Sequence, residues 1–264
     1  MSELLLLAVD AGNTSMALGL FRGRRLVKKA RLASDPSIGS EELARRLRSF
    51  AGEATAACCA SVVPALDGKI DRAVRKALGV KPAWVTPSAP LGIHYKVDRP
   101  RQVGAVRIAN ALGAWDAHGG PAVVIDFGTA TTFDCVSRTG DYLGGAILPG
   151  PVLAARALAD HTAKLPLVPV RRPRRVIGRE TAECIQAGVY FGYLGMVEKV
   201  LKLTLEELAR LPDGGKARAV LATGGWAGLL ADDLPAVIKL APDLTLQGLR
   251  VAHARLSSRV KERP

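Results

Sequence analysis

Two stretches of the chain follow one pattern of apolar and polar positions. Residues 4–9 are apolar throughout, the run stops at Asp10, a turn follows at Gly12, Asn13 and Thr14, and apolar character resumes over 16–21. Residues 122–125 are equally apolar, stop at Asp126, turn through Gly128, Thr129, Thr131 and Thr132, and lead out through a second apolar segment within the stretch ending at Gly150. Each stretch reads as strand, turn, strand. Asp10 matches Asp126 and Gly12 matches Gly128, which predicts an internal duplication of roughly half the chain.

Between the two copies, turn signals at 12–13 and 22–23 divide residues 4–32 into three antiparallel strands. An amphipathic helix begins at Ser40, read as its N-cap, and carries Leu43, Leu47 and Phe50 on one face. Residues 54–63 form a buried strand containing Cys58 and Cys59 and ended by Pro64; 67–78 form a helix closed by Gly79; 83–85 form a short strand. In 91–110, His94 and Tyr95 lie in an extended piece, Asp98-Arg99-Pro100 turns, and a helix begins at 103, which together could line a ligand site.

Beyond the second copy, Pro149-Gly150-Pro151 breaks the sheet, 152–158 is helical, and His161 sits in a polar loop. Residues 178–201 read as a long helix whose Gly188, Gly192 and Gly195 predict close packing against another helix. A strand over 217–222 runs into Gly224-Gly225 and a helix over 226–230, whose N-terminal N–H groups suit phosphate or ribose oxygens. An Arg-rich helix over 249–260 closes the chain.

An Asp followed two residues later by Gly suits phosphate chemistry. Gly lets the backbone approach closely, turn N–H groups and Thr or Asn side chains donate to phosphate oxygens, and carboxylates hold Mg²⁺ directly or through water. An ordinary hairpin can carry the same residues, so one copy leaves both readings open. The matched second copy favours the phosphate clamp. No GxxxxGK[ST] and no GxGxxG segment is present, which excludes P-loop and Rossmann readings on motif.

Composition narrows the class. A 264-residue chain with 48% hydrophobic but only 5% aromatic residues is an α/β protein packed on Ala, Val and Leu. The opening MSELLLLAVD is too short to span a membrane and lacks a basic lead and a cleavage site, so neither a membrane anchor nor a signal peptide is expected. Cys58, Cys59, Cys135 and Cys184 have no metal-ligand spacing and read as free thiols of a cytoplasmic protein. The net charge of +13 admits nucleic acid, an acidic membrane or an anionic small molecule. Its clusters at 22–31 and 171–175 come without a helix-turn-helix, zinc-finger or RNA-binding signature, so a basic solvated surface is preferred to a nucleic-acid site.

In order, Asp10-Ala11-Gly12-Asn13-Thr14, Asp126-Phe127-Gly128-Thr129-Ala130-Thr131-Thr132, Gly144-Gly145-Ala146-Ile147-Leu148-Pro149-Gly150, Thr162-Ala163-Lys164-Leu165-Pro166 and Thr223-Gly224-Gly225 resemble the type III pantothenate kinases over nearly the whole chain. The resemblance implies a duplicated actin-like (ribonuclease H-like) ATPase fold of α/β class, two βββαβαβα half-domains with a central cleft. Residues 1–113 would carry the first phosphate loop and the acceptor wall, and 114–264 the second phosphate loop, the nucleotide site and a dimer helix. It further implies a homodimer that transfers the γ-phosphoryl group of ATP to pantothenate, at the start of coenzyme A synthesis, with Mg²⁺ and a monovalent cation, K⁺ or NH₄⁺.

Carried over by position, Asp10, Gly12, Asn13 and Thr14 form the first phosphate loop, and Asp126, Gly128, Thr129 and Thr132 the second, with Gly224 and Gly225 at the nucleotide. Asp10 and Asp126 orient Mg²⁺, and Asp134 is the candidate for the monovalent cation. Tyr95, Gly104, Ala105, Arg107, His161 and a partner's Thr181 occupy pantothenate positions, Arg107 being suited to its carboxylate.

One position departs from the family. Where it has Gly-x-Asp-Arg, this chain reads Gly104-Ala105-Val106-Arg107, and Val106 cannot take a proton from the attacking hydroxyl. Asp98 is a speculative substitute acting through water; otherwise Val106 is a helix residue buried on an apolar face. Two alternatives to an active pantothenate kinase follow: a non-catalytic nucleotide- or pantothenate-binding regulator or transcription accessory factor of the same fold, and a small-molecule kinase with another acceptor.

Overall fold

The computed structural model describes residues 4–261, and the chain divides into two compact units. The first contains β1 (Leu5–Ala11), β2 (Ser15–Arg22), β3 (Arg25–Ala33), α1 (Ser40–Ala51), β4 (Ala56–Ser61), α2 (Pro64–Leu78), β5 (Ala83–Trp84) and α3 (Ala105–His118). The second contains β6 (Ala122–Phe127), β7 (Ala130–Val136), β8 (Tyr142–Pro149), α4 (Pro151–Asp160), α5 (Thr181–Arg210), β9 (Ala219–Thr223), α6 (Ala227–Leu230) and β10 (Ile238–Leu240). The last helix, α7 (Leu244–Lys261), belongs to the first unit, so the chain crosses between units twice and the division differs from the expected boundary after 113.

The duplication is visible in strand order. One sheet runs β3-β2-β1-β4-β5 and the other β8-β7-β6-β9-β10, so each β1-type strand lies at the centre between an antiparallel hairpin partner and a parallel strand. This is a two-domain α/β architecture with one five-stranded mixed sheet in each unit. The central strands are buried on both faces, which explains their continuous apolar runs.

In the first unit Leu7, Val9, Leu18 and Leu20 pack with Leu43 and Leu47 of α1 and Ile70 and Val74 of α2. On β3, at the edge of its sheet, Lys28, Lys29 and Arg31 are exposed, and such charges discourage pairing with another strand. Several of the basic groups are anchored as well as solvated. Lys28 donates to the Phe50 carbonyl at 2.8 Å and Lys29 to Asp243 at 3.0 Å, and both Arg24 and Arg250 reach Asp116.

Element ends differ from the sequence reading where local geometry decides. Gly39 is the N-cap of α1, so Ser40 is its first helical residue and makes no capping bond. Pro64 opens α2, a position where its missing N–H costs nothing. Gly79 closes that helix in the left-handed region, at φ 71°. β10 was not foreseen: its three residues are too few to show a period. The glycines of α5 also depart from expectation, because a Cβ at Gly188, Gly192 or Gly195 would meet nothing within 4 Å, and all three are exposed.

Glycine does permit a close helix crossing elsewhere. A Cβ on Gly113 of α3 would lie 2.7 Å from the Leu244 carbonyl oxygen, and one on Gly248 of α7 only 1.8 Å from that of Ala109. Beside this crossing the buried Thr245 hydroxyl donates to Asn110 Oδ1 at 2.7 Å. Replacing Gly248 by Ala gains about 0.5–1 kcal/mol of helix propensity. The clash is with backbone and cannot be relieved by a rotamer, so overpacking of about 1–3 kcal/mol or more prevails. Gly248→Ala therefore lowers the urea midpoint, whereas Gly68→Ala, at an exposed position of α2 where a Cβ would meet only the end of the Arg72 side chain at 3.5 Å, leaves it unchanged or raises it.

Candidate active site

In the first unit the β1–β2 turn is drawn tight by Gly12 N–H donating to the Ser15 carbonyl at 3.0 Å. Asp10 is half-buried one residue from the end of β1, and its cross-strand neighbours are Ala17 and Ala60. Asn13 and Thr14 are exposed at the tip. Ser34, which the sequence pattern did not single out, braces the loop: its hydroxyl donates to the Gly12 carbonyl at 2.5 Å and its N–H to the Thr14 carbonyl at 3.1 Å. A Ser just past an edge strand carries no sequence signal of its own.

The second turn, between β6 and β7, repeats the geometry with more support. Asp126 is half-buried, and its neighbours across the sheet are Thr132 and Thr223. Two further glycines converge here. Gly150 N–H donates to the Thr129 carbonyl at 3.1 Å, and a Cβ on Gly150 would lie 2.3 Å from that oxygen. Gly224, at φ +91°, lies so close that a Cβ there would stand 2.5 Å from Asp126 Oδ1. Asp126, Gly128, Thr129, Thr132 and Gly224 are thus gathered at one place, with Gly225 exposed beside them. The helix that follows is a single turn, Ala227–Leu230, so backbone proximity at Gly224, not a helix dipole, is what this segment offers.

Asp134, two residues along β7 from Thr132, is fully buried. The Tyr142 hydroxyl donates to its Oδ1 at 2.9 Å and the Thr132 hydroxyl to its Oδ2 at 3.1 Å. Among the described residues no three His, Cys, Asp or Glu side chains cluster as a metal cage. What the turns offer is hard carboxylate and hydroxyl oxygen, the donor set that suits a largely hydrated Mg²⁺.

The expected acceptor wall lies in the first unit. Tyr95 is half-buried and burial pushes its phenol up from its ordinary range. Its loop is held by Arg255 of α7, also absent from the sequence reading, which donates to the carbonyls of Leu91 at 2.8 Å and Gly92 at 3.3 Å. Asp98 is exposed. Gly104 accepts the first bond of α3, from Ile108 N–H at 3.2 Å, so the N–H groups of Ala105, Val106 and Arg107 stand at a helix N-terminus suited to an anion. Val106 is half-buried, more open than the apolar-face reading supposed.

In the second unit, His161 ends α4 and is exposed. Thr181 begins α5 and lines an apolar hollow of about 710 Å³ together with Leu158, Cys184, Gly188 and Gly192. The structure therefore groups Thr181 with the open face of α5, while His161 stands apart from that lining.

The sequence profile of type III pantothenate kinases matches residues 6–203. The type III pantothenate kinase of Moorella thermoacetica is 42% identical over 95% of this chain and 99% of its own length. That of Myxococcus xanthus is 40% identical over 95% and 98%. Among solved structures, component A of Acidaminococcus fermentans (R)-2-hydroxyglutaryl-CoA dehydratase superposes with a TM-score of 0.54 over 97% of this chain and 99% of its own, at 15% identity.

The contact between Gly224 and Asp126 is directly testable. Gly224→Ala places a side chain in the left-handed region and against a carboxylate, and lowers unfolding stability by about 1–3 kcal/mol. Gly225→Ala, outside that region and exposed, stays within about 0.5 kcal/mol of the parent. Urea unfolding of the two variants side by side gives the comparison.

Proposed function

The chain belongs to the type III pantothenate kinase family, and on that premise we propose a reaction in which named residues carry each part. The protein phosphorylates pantothenate with ATP, in coenzyme A synthesis. The observation that supports the residue assignment best is the pair of Asp-Gly turns at matching positions of two like sheets.

In this reading Asp10, Gly12, Asn13 and Thr14 of the first turn, and Asp126, Gly128, Thr129 and Thr132 of the second, bind the phosphates of ATP. Gly224 and Gly225 contact the nucleotide through the backbone. Asp10 and Asp126 are the oxygen ligands proposed for Mg²⁺, which when bound neutralises charge developing on the phosphate oxygens. Asp134 is the proposed partner of K⁺ or NH₄⁺, a buried carboxylate at the foot of the second turn that accepts from Tyr142 and Thr132.

Arg107 can grip the carboxylate of pantothenate with two parallel hydrogen bonds, and the N–H groups at the start of α3 add to the same attraction. Tyr95, Gly104, Ala105 and His161 line the rest of the acceptor. Thr181 comes from a second copy, and the open glycine face of α5 is the surface on which that copy would sit, which accounts for exposed Leu153 and Met196 nearby. Among the described residues no helix is long and apolar enough to cross a membrane, in keeping with a cytoplasmic enzyme of small-molecule metabolism.

The transfer forms a bond from the acceptor oxygen to the γ-phosphorus, breaks the bond to the β-phosphate oxygen and releases ADP. The acceptor hydroxyl must also lose a proton, and Val106 has no group to take it. A loose transition state leaves most of the acceleration to positioning and charge neutralisation, so turnover persists at a reduced rate, with Asp98 through water or solvent itself receiving the proton.

Purified protein with ATP, Mg²⁺ and KCl or NH₄Cl should form phosphopantothenate slowly. Val106→Asp should raise kcat by about 10²-fold or more, the ordinary worth of a general base. Product from neither protein, with ATP still bound by calorimetry, would replace the kinase by a nucleotide-binding regulator. ADP release with other alcohols but not pantothenate would change the acceptor.

A further inference from the structure

Thr131 lies at the root of the second phosphate turn, opposite Phe127 across the hairpin. Its hydroxyl is hydrogen-bonded to that of Tyr193 on α5, and both residues are fully buried. The Tyr193 ring also meets the Phe127 ring edge-on, with centroids 6.2 Å apart. One side chain on α5 therefore touches both legs of the hairpin where the Gly128-Thr129 tip begins. Burial foremost, with the charge of Asp126 adding to it, pushes the Tyr193 phenol up to about 12, so it remains a neutral hydroxyl across the working range of pH.

The first hairpin has no such bond at the matching place. There the cross-strand pair is Ala11 and Met16, both buried in an apolar cluster. The second hairpin puts two hydroxyls where the first has only apolar packing. A hydroxyl pair costs more to desolvate than a methyl contact of the same volume, but it fixes direction, which apolar contact does not.

We propose that Tyr193 is a positioning residue for nucleotide binding: its hydroxyl holds Thr131 and thereby sets Thr129 and Thr132 on either side of it. The inference rests on the assignment of the second turn to the ATP phosphates. Tyr193 itself touches no substrate in this scheme; it acts through Thr131.

The test separates positioning from mere stability. Removing one hydroxyl strands the other in a dry core, whereas replacing both leaves an apolar pair that is nearly neutral for stability. In the full-length protein, Tyr193→Phe, Thr131→Val and the double variant should each raise KM for ATP by about tenfold and leave KM for pantothenate unchanged. The double variant should recover the melting temperature lost by the single ones without recovering KM. Thr131→Ser keeps the hydroxyl and should keep the parental KM. An unmoved KM for ATP in the single variants, or its return to the parental value in the double variant along with the melting temperature, overturns the inference. Should Tyr193→Phe fail to fold, Thr131→Val against Thr131→Ser decides it. Calorimetric titration with ATP reads the same effect in the absence of turnover, so failure of the parent and of Val106→Asp alike to make phosphopantothenate refutes the kinase reading and leaves this one to be judged on affinity.

Discussion

The carboxylate at the end of the central strand β6 is flanked by chain that comes very near without a side chain. At Asp126 that condition is met by Gly224, whose left-handed backbone sits where any Cβ would lie 2.5 Å from the carboxylate oxygen. Gly150 meets it again against the Thr129 carbonyl. These contacts bring together 126–129, 150 and 224, segments distant in sequence, in a unit whose sheet has β6 at its centre. β6 must be central, with β7 on one side and β9 on the other, for Asp126 to have Thr132 and Thr223 as neighbours.

The elements carrying the duplication were legible because their signals are strong and local. Buried central strands write continuous apolar runs, and Asp and Gly mark where those runs end. What was not legible depends on chain that is distant in sequence. Nothing in 244–261 distinguishes a helix that packs on its own half from one that returns to β1, β2 and β4 of the other. Ser34 and Arg255 brace the two loops of the first unit through backbone carbonyls, and a bond to a carbonyl leaves no trace in the composition of its partner. The glycines of α5 show the opposite failure: the spacing was seen, but the partner surface it implied is absent among the described residues, since each opens onto space. Small residues at helical spacing announce an approach without saying by what.

The basic charge can be read in the same physical terms. On the first unit, Arg24 and Arg250 share Asp116, Lys29 reaches Asp243 and Lys28 lies over the Phe50 ring. These pairs are mostly exposed, where each adds little to stability. Their placement along an edge strand and across the join between β3, α3 and α7 gives them a different use. They keep the sheet edge from recruiting another strand and tie the returning helix to the hairpin.

The two halves are alike in topology and unlike in chemistry, and the difference bears on Val106. Asp10 has Ala17 and Ala60 across the sheet, small neighbours that leave room beside the carboxylate; Asp126 has two threonines, which supply hydroxyls. Val106 belongs to neither turn. It stands half-buried in the first turn of α3, beside a Gly104 whose added Cβ would meet nothing nearer than 3.9 Å within the chain. Under the proposed assignment, a substitution there would remove the proton acceptor and leave intact the surfaces that hold ATP, so binding and turnover would be separable by a single side chain.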